Sequence, residues 1–278
     1  MKIWAVANQK GGVGKTTTSV SLAGHLARDG KRVLLVDLDP HGSMTVYFGM
    51  EPEAPGASVY SLFKSAADGQ PMDPARVVHP TAFDGISLMP ASTALATLDR
   101  QLGMRDGMGL VLKRAVERIR DDYDYVLIDC PPILGVTMVN ALALAEFLIV
   151  PVQTEFLALK GLERMLRTLA MVQRSRRQRL EYVILPTMFD RRTRASHDTL
   201  RILHDRYDDD VWPDVIPIDT QFREASRQGK PLPLIHADAR GSEAYRQFLR
   251  WLETHVGGQA MAPAPDVASS GTRVQESR

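Results

Sequence analysis

The stretch best equipped for chemistry is Lys10-Gly11-Gly12-Val13-Gly14-Lys15-Thr16-Thr17. Its glycines let successive backbone N–H groups turn inward around phosphate oxygens, and a helix starting at once would add its positive dipole end. Lys15 would then reach the β- and γ-phosphate oxygens, with the Thr16 hydroxyl as a ligand of Mg²⁺. A second stretch, Tyr125-Val126-Leu127-Ile128-Asp129, ends four apolar residues in a carboxylate. Asp129 there can hold Mg²⁺ through a water, because Mg²⁺ keeps its shell reluctantly. An apolar run ending in Asp means little alone; coupled to the glycine-rich turn upstream it points to a nucleoside triphosphate with its metal. A third, Asp37-Leu38-Asp39-Pro40-His41-Gly42-Ser43, offers two further carboxylates. Asp37 would either join the metal shell or cap the end of a strand, and His41 reads as a structural rather than a catalytic residue.

These groups need elements to hold them. The apolar run 3–7 before the glycine turn is a strand, and Val20, Leu22, Ala23, Leu26 and Ala27 share one face of a helix from Lys15 to Arg28. Residues 32–37 form a continuous apolar run ending in Asp37, as expected of a strand buried on both faces. Strand, helix, strand at this spacing implies a right-handed parallel crossover. Asp39 then stands at the carboxyl edge of the sheet, where doubly wound folds bind ligands. Further strands follow at 86–90, 125–129, 147–152, 182–187 and, last, ending at 215–217; helices are expected at 94–102, 110–119, 160–172 and 242–256. The fold class is therefore α/β, a doubly wound and mostly parallel sheet with helices on both faces. Residues 51–85, rich in Pro, Gly, Ala and Ser with one amphipathic piece at 59–63, read as a peripheral insertion. Met104 and Met108 read as gap-filling side chains.

Composition sets the outer bounds. The 278 residues, 44% hydrophobic, suffice for one sizeable α/β domain, and a net charge of +1 announces no global field for nucleic acid or membrane. A single cysteine, Cys130, rules out an internal disulfide and, even shared between two subunits, a four-cysteine cluster. No apolar run approaches a membrane span, Met1-Lys2 leads straight into the first strand, and no basic amphipathic helix follows the closing one, so a cytoplasmic protein without membrane insertion is expected. After Gly257-Gly258 the composition shifts to Pro, Ala, Ser, Gly and Gln; the expected organisation is one P-loop domain over 1–256 and a disordered tail over 257–278.

The early Lys10 makes the glycine turn resemble the deviant Walker A family of ParA, MinD, the nitrogenase iron protein and relatives, over about residues 1–255. The resemblance implies that Lys10 reaches across a two-fold axis to the partner's nucleotide, so that ATP and Mg²⁺ are sandwiched in a homodimer. It implies that Asp39 contacts the Mg²⁺ shell and orients the attacking water, and that Asp129 opens a second switch loop stiffened by Pro131-Pro132. Glu155, after the strand at 147–152, would touch ribose or the partner chain or else serve as a helix N-terminal charge; Thr187, Met188 and Pro217 would form the adenine pocket. His41 stands where many relatives have glutamine.

That family implies a slow ATPase, accelerated by a protein activator, that switches between monomer and dimer. The opening Trp4-Ala5-Val6-Ala7-Asn8-Gln9, the Asp37-to-Ser43 switch and Gln153-Thr154-Glu155-Phe156-Leu157-Ala158 look most like the ParC branch, which positions chemotaxis arrays at the cell pole, with a chemotaxis or flagellar-pole complex as cargo. Alternatives are a chromosome or plasmid partitioning ParA, nucleoid-associated through nonspecific DNA binding, and an ATP-dependent ligase or amidotransferase of the same fold. For DNA the candidates are Arg174, Arg176, Arg177, Arg191, Arg192 and Arg194, within a stretch (160–206) holding twelve Lys/Arg against five Asp/Glu. The same arginines could be a solvated surface or meet an acidic protein. Partition relatives often read Ile-Pro-Arg-Asn where this chain has Ile216-Pro217-Ile218-Asp219, so their DNA contacts do not transfer directly.

Overall fold

The structure is a computed structural model that describes residues 1–256 apart from 55, 103, 104 and 106. The expectations for Met104 and for the tail thus lie outside the described residues. Seven strands form one sheet: β1 (Lys2–Val6), β2 (Val33–Asp37), β3 (His79–Pro80), β4 (Ile86–Met89), β5 (Tyr125–Asp129), β6 (Phe147–Gln153) and β7 (Glu181–Thr187). Their order is β3-β4-β2-β5-β1-β6-β7, parallel except for the short edge strand β3. β1 lies at the centre with β5 and β6 on either side, so the glycine turn emerges between the exits of two other strands.

Successive strand residues point to opposite faces, and each face has its own core. Trp4, Val6, Leu35, Leu127 and Ile149 pack against Val20, Leu22, Ala23 and Leu26 of α1 (Lys15–Arg28) and Tyr245, Phe248 and Leu252 of a closing helix at Arg240–His255. Ile3, Ala5, Leu34, Val36, Val126, Ile128, Leu148 and Val150 take the other face. The helices after α1 are α2 (Ser43–Tyr47), α3 (Val59–Ala67), α4 (Leu98–Leu102), α5 (Val111–Glu117), α6 (Val136–Leu144), α7 (Phe156–Gln173), α8 (Arg194–Tyr207), α9 (Gln221–Arg227), α10 (Leu232–Ile235) and the closing α11.

Two expectations need correction. Residues 51–85 are not merely peripheral. Val59, Leu62 and Phe63 share a helical face and are buried in the second core with α5, while Pro52 lies over Gly42, where an added Cβ would come within 2.2 Å of its ring. The expected last strand does not form. Pro213 and Pro217 lack the N–H a ladder needs, so the segment joins the edge at two isolated bridges, Ile184 to Val211 and Phe189 to Pro217.

Candidate functional site

After β1 the backbone turns through left-handed conformations at Gly12 (φ 73°) and Gly14 (φ 89°), which only glycine adopts without strain. Gly14 caps α1, and the first turn of α1 carries no acidic residue to offset its positive end. Lys15 is buried, with its Nζ 3.3 Å from the Lys10 carbonyl. Val13 contributes no side chain to this mouth: it is fully buried, and its carbonyl accepts from Thr187 Oγ1 at 2.9 Å, tying the exit of β7 to the turn.

Two acids end adjacent strands. The register sets Asp37 of β2 beside Asp129 of β5. Thr16 Oγ1 donates to Asp129 Oδ2 at 2.6 Å, whereas Asp129 Oδ1 is buried with no hydrogen-bond partner among the described residues. Burial, then the nearby Asp37 carboxylate, hold Asp129 well above the usual carboxylate range, against the pull of Thr16 and Lys15. Asp37 is raised too, chiefly by burial, but its oxygens are occupied. Oδ2 accepts from the backbone N–H and the hydroxyl of Thr45, both at 2.8 Å, and Oδ1 from the Asp39 N–H at 3.1 Å. Asp37 therefore pins the loop to α2. An orphaned, buried carboxylate oxygen beside a threonine hydroxyl offers the hard oxygen donors a divalent cation takes, so Thr16 and Asp129 fit Mg²⁺.

Two cavities that share Gly14, Thr17 and Met188 in their walls open at this turn. One, about 490 Å³, is lined by Gly11, Gly12, Lys15, Thr16, Asp39 and His41 among others. The other, about 700 Å³, brings together Thr187, Met188 and Pro217 with Gly14 and Thr17, residues far apart in sequence. Met188 adopts a left-handed backbone (φ 53°) there, unusual for a non-glycine residue. Among the lining residues to which the sequence assigned no place in this pocket are Gln153, Phe222 and Tyr245. Tyr245 reads as one more member of the apolar stripe of α11; only the structure shows its hydroxyl 2.8 Å from Thr18 Oγ1.

Glu155 does not line the larger cavity. Its carboxylate pairs with Lys10 of the same chain, and Lys10 Nζ also lies 3.4 Å from Gln153 Oε1. Lys10 is thus held within its own subunit, close against Gly161 of α7, where a Cβ would come within 2.8 Å of the Lys10 Cβ.

The six arginines separate. Arg174, Arg176 and Arg177 precede β7, whereas Arg191, Arg192 and Arg194 follow it, so seven strand residues, roughly 20 Å at the usual rise, lie between the groups. Arg176 is committed to structure: its guanidinium donates to the carbonyls of Leu142, Ala143 (3.0 Å) and Ala145 (2.9 Å), closing the end of α6. Arg192 is paired with Asp190 at 2.8 Å and Arg194 with Asp198 at 3.5 Å.

A family model described as an AAA domain matches residues 1–182. The sporulation initiation inhibitor protein Soj of Bacillus subtilis is 40% identical over 246 residues, 88% of this chain and 95% of its own length. The chain belongs to the ParA/Soj family of P-loop ATPases. Other members of this ParA/Soj family are similar: chromosome partitioning protein ParA of Caulobacter vibrioides (38% identical, covering 90% of this chain and 93% of its own) and chromosome-partitioning ATPase Soj of Thermus thermophilus (41%, 88% and 92%). Among solved structures, cobyrinic acid a,c-diamide synthase from Mycobacterium smegmatis with bound ATP analogue and magnesium matches with a TM-score of 0.78 and 38% identity over 92% of this chain and 95% of that one. Apo McdA from Cyanothece shares the fold at the same TM-score with 22% identity over 90% and 99%. Among the described residues no helix is long and apolar enough to cross a membrane.

Proposed function

We propose that this chain is a partitioning-type ATPase whose ATP-bound form is a homodimer. The observation that carries the reading is the unpartnered Asp129 Oδ1 beside Thr16 and Lys15 at the mouth of the glycine turn. Residues 11–17 would hold the phosphates, Thr187, Met188 and Pro217 the adenine, and Thr16 and Asp129, with Asp39 in the outer shell, the Mg²⁺. The metal would neutralise charge on the phosphate oxygens. Asp39 would orient the attacking water. Lys10 would exchange Glu155 for the partner's nucleotide. Support for a second copy over this edge comes from four exposed apolar side chains at the exits of β5 and β6, on both sides of the glycine turn: Ile133, Leu134, Phe156 and Leu157.

Chromosome partitioning is preferred as the process because the curated relatives described above carry that name, whereas the chemotaxis or flagellar-pole cargo suggested by the sequence has no support from them. The protein would act in the bacterial cytoplasm on the nucleoid, with a protein activator. Arg191 and Arg194, on the same sheet edge as the nucleotide, are better placed for DNA than Arg174 and Arg177, because dimerisation at that edge would bring two such groups together. The name of the Mycobacterium smegmatis structure favours a second reading, amide formation. Glutamine-dependent amide formation commonly uses a reactive thiol; the sole cysteine, Cys130, is buried and its thiol is pushed up by that burial.

The test is size and DNA retention with ADP, ATP and a nonhydrolysable analogue, for wild type and Asp39→Ala. The expected results are dimers and DNA binding only with the triphosphate, with Asp39→Ala trapped in that form and turnover reduced about 100-fold or more. DNA affinity indifferent to nucleotide, or normal turnover in Asp39→Ala, would overturn the reading.

A further inference from the structure

The loop carrying Asp39 is fixed on both sides of His41. Upstream, the Asp39 N–H is held by Asp37 Oδ1; downstream, the Gly42 N–H donates to the Asp39 carbonyl at 2.8 Å, and Thr45 is held by Asp37 Oδ2. The Thr45 hydroxyl in turn accepts the Ala91 N–H at 2.8 Å, anchoring the loop to the segment after β4. Gly42 adopts a left-handed conformation (φ 62°) beneath Pro52, leaving the loop no space to shift in that direction.

On this fixed backbone the His41 imidazole turns back onto Asp39. Its Nδ1 lies 2.9 Å from Asp39 Oδ1, the oxygen that also accepts the His41 backbone N–H at 3.0 Å. An ionised carboxylate only accepts, so Nδ1 carries the hydrogen. Among the described residues every hydrogen bond to the Asp39 carboxylate goes to Oδ1, and none to Oδ2. The Asp39 side chain is 16% exposed and that of His41 81%, so the imidazole covers one oxygen from the solvent side while both residues line the cavity above the glycine turn.

We propose that His41 is a positioning residue for ATP hydrolysis: its Nδ1–H commits one oxygen of Asp39 to the loop and leaves the other as a fixed acceptor for the attacking water. This rests on the reading of Asp39 as the group that orients water. Turning the carboxylate out of this orientation would break both hydrogen bonds at once, so the side chain, which otherwise rotates easily about its last torsion, holds its second oxygen in a single acceptor direction. His41 needs no contact with nucleotide for this role. It acts through Asp39, where an alanine would leave only the backbone N–H as a restraint.

The experiment is single-turnover ATP hydrolysis by the full chain, with ADP affinity and analogue-driven dimerisation measured alongside. His41→Ala should slow hydrolysis about tenfold, the effect of one lost hydrogen bond, with ADP affinity and dimerisation unchanged. His41→Asn places an amide N–H where Nδ1 stands and should restore the rate to within about threefold of wild type. His41→Gln, whose amide falls nearer the position of Nε2, should restore less. In an Asp39→Ala background His41→Ala should have no further effect. Wild-type turnover in His41→Ala, equal rates for the Ala and Asn variants, or lost ADP binding would each overturn the inference while Asp39→Ala stays inactive. Normal turnover in Asp39→Ala would instead remove the reading on which it rests.

Discussion

At the carboxyl edge of the sheet, Asp129 and Lys15 keep polar atoms in reserve; at the amino edge, Arg176 and Arg32 are committed to the fold. Among the described residues, Asp129 Oδ1 is buried without a partner and Lys15 Nζ meets only a carbonyl, at 3.3 Å. At the opposite edge Arg176 spends its guanidinium on the end of α6, and Arg32 forms a two-pronged pair with Asp124 (3.1 and 3.3 Å) plus a bond to the Asp121 carbonyl. The Arg32 guanidinium, through hydrogen bonds, holds Asp124 down at about 2. The lesson is that residue type does not distinguish a chemical group from a structural one. Saturation does: a charge whose hydrogen-bonding capacity is already used holds the fold, and one left short waits for a ligand.

Substitutions at the two edges should therefore fail in different ways. The largest effect is expected for Lys15→Ala, which should weaken ATP and ADP binding by about 100-fold or more in calorimetric titration and change the melting temperature little. Asp129→Asn should reduce Mg²⁺-dependent turnover about 100-fold while making the ligand-free fold more stable by about 1 kcal/mol, or roughly 2–4 °C. Its sign follows from the raised Asp129: the folded state favours the acid form, so its contribution to stability is present at low pH and is lost as pH rises through the raised value. Asparagine, which does not titrate, should flatten that loss in thermal scans across pH. The smallest effect on chemistry belongs to Arg176→Ala. It should lower stability by about 2 kcal/mol in urea unfolding, because four carbonyls lose a charged donor, and leave ATP affinity and turnover at wild-type values. Lost ATP binding in Arg176→Ala, or a purely structural effect of Lys15→Ala, would erase the contrast between the edges.

How much of this could be read from the sequence follows the same division. The placement of the glycine turn, Lys15, Thr16 and Asp129 at strand exits was legible because each motif is contiguous with an apolar run, so local spacing alone sets its position. The parallel sheet was legible from its continuous apolar runs. Contacts between distant residues were not. Lys10 and Glu155 are 145 residues apart, and nothing local says that the carboxylate will fall on the lysine. Arg176 looked like part of a basic patch because its acceptors are backbone carbonyls, which leave no trace in composition. Phe63 was hidden in a stretch whose Pro, Gly and Ser content suggests surface, although its spacing from Val59 and Leu62 carried the signal. The broken last strand was foreshadowed by Pro213 and Pro217, whose missing donors outweigh the apolar run between them. Helix α6, buried in the second core, has no polar face to set its period, and the alternation a surface helix shows is absent.

The central claim is that ATP joins two copies and that Lys10 completes the partner's site. Sedimentation velocity of Asp39→Ala, with and without Lys10→Ala, in ATP and Mg²⁺ tests it most directly. The account predicts a dimer for the single variant and a monomer of similar nucleotide affinity for the double variant. Dimers of equal stability in both would contradict it.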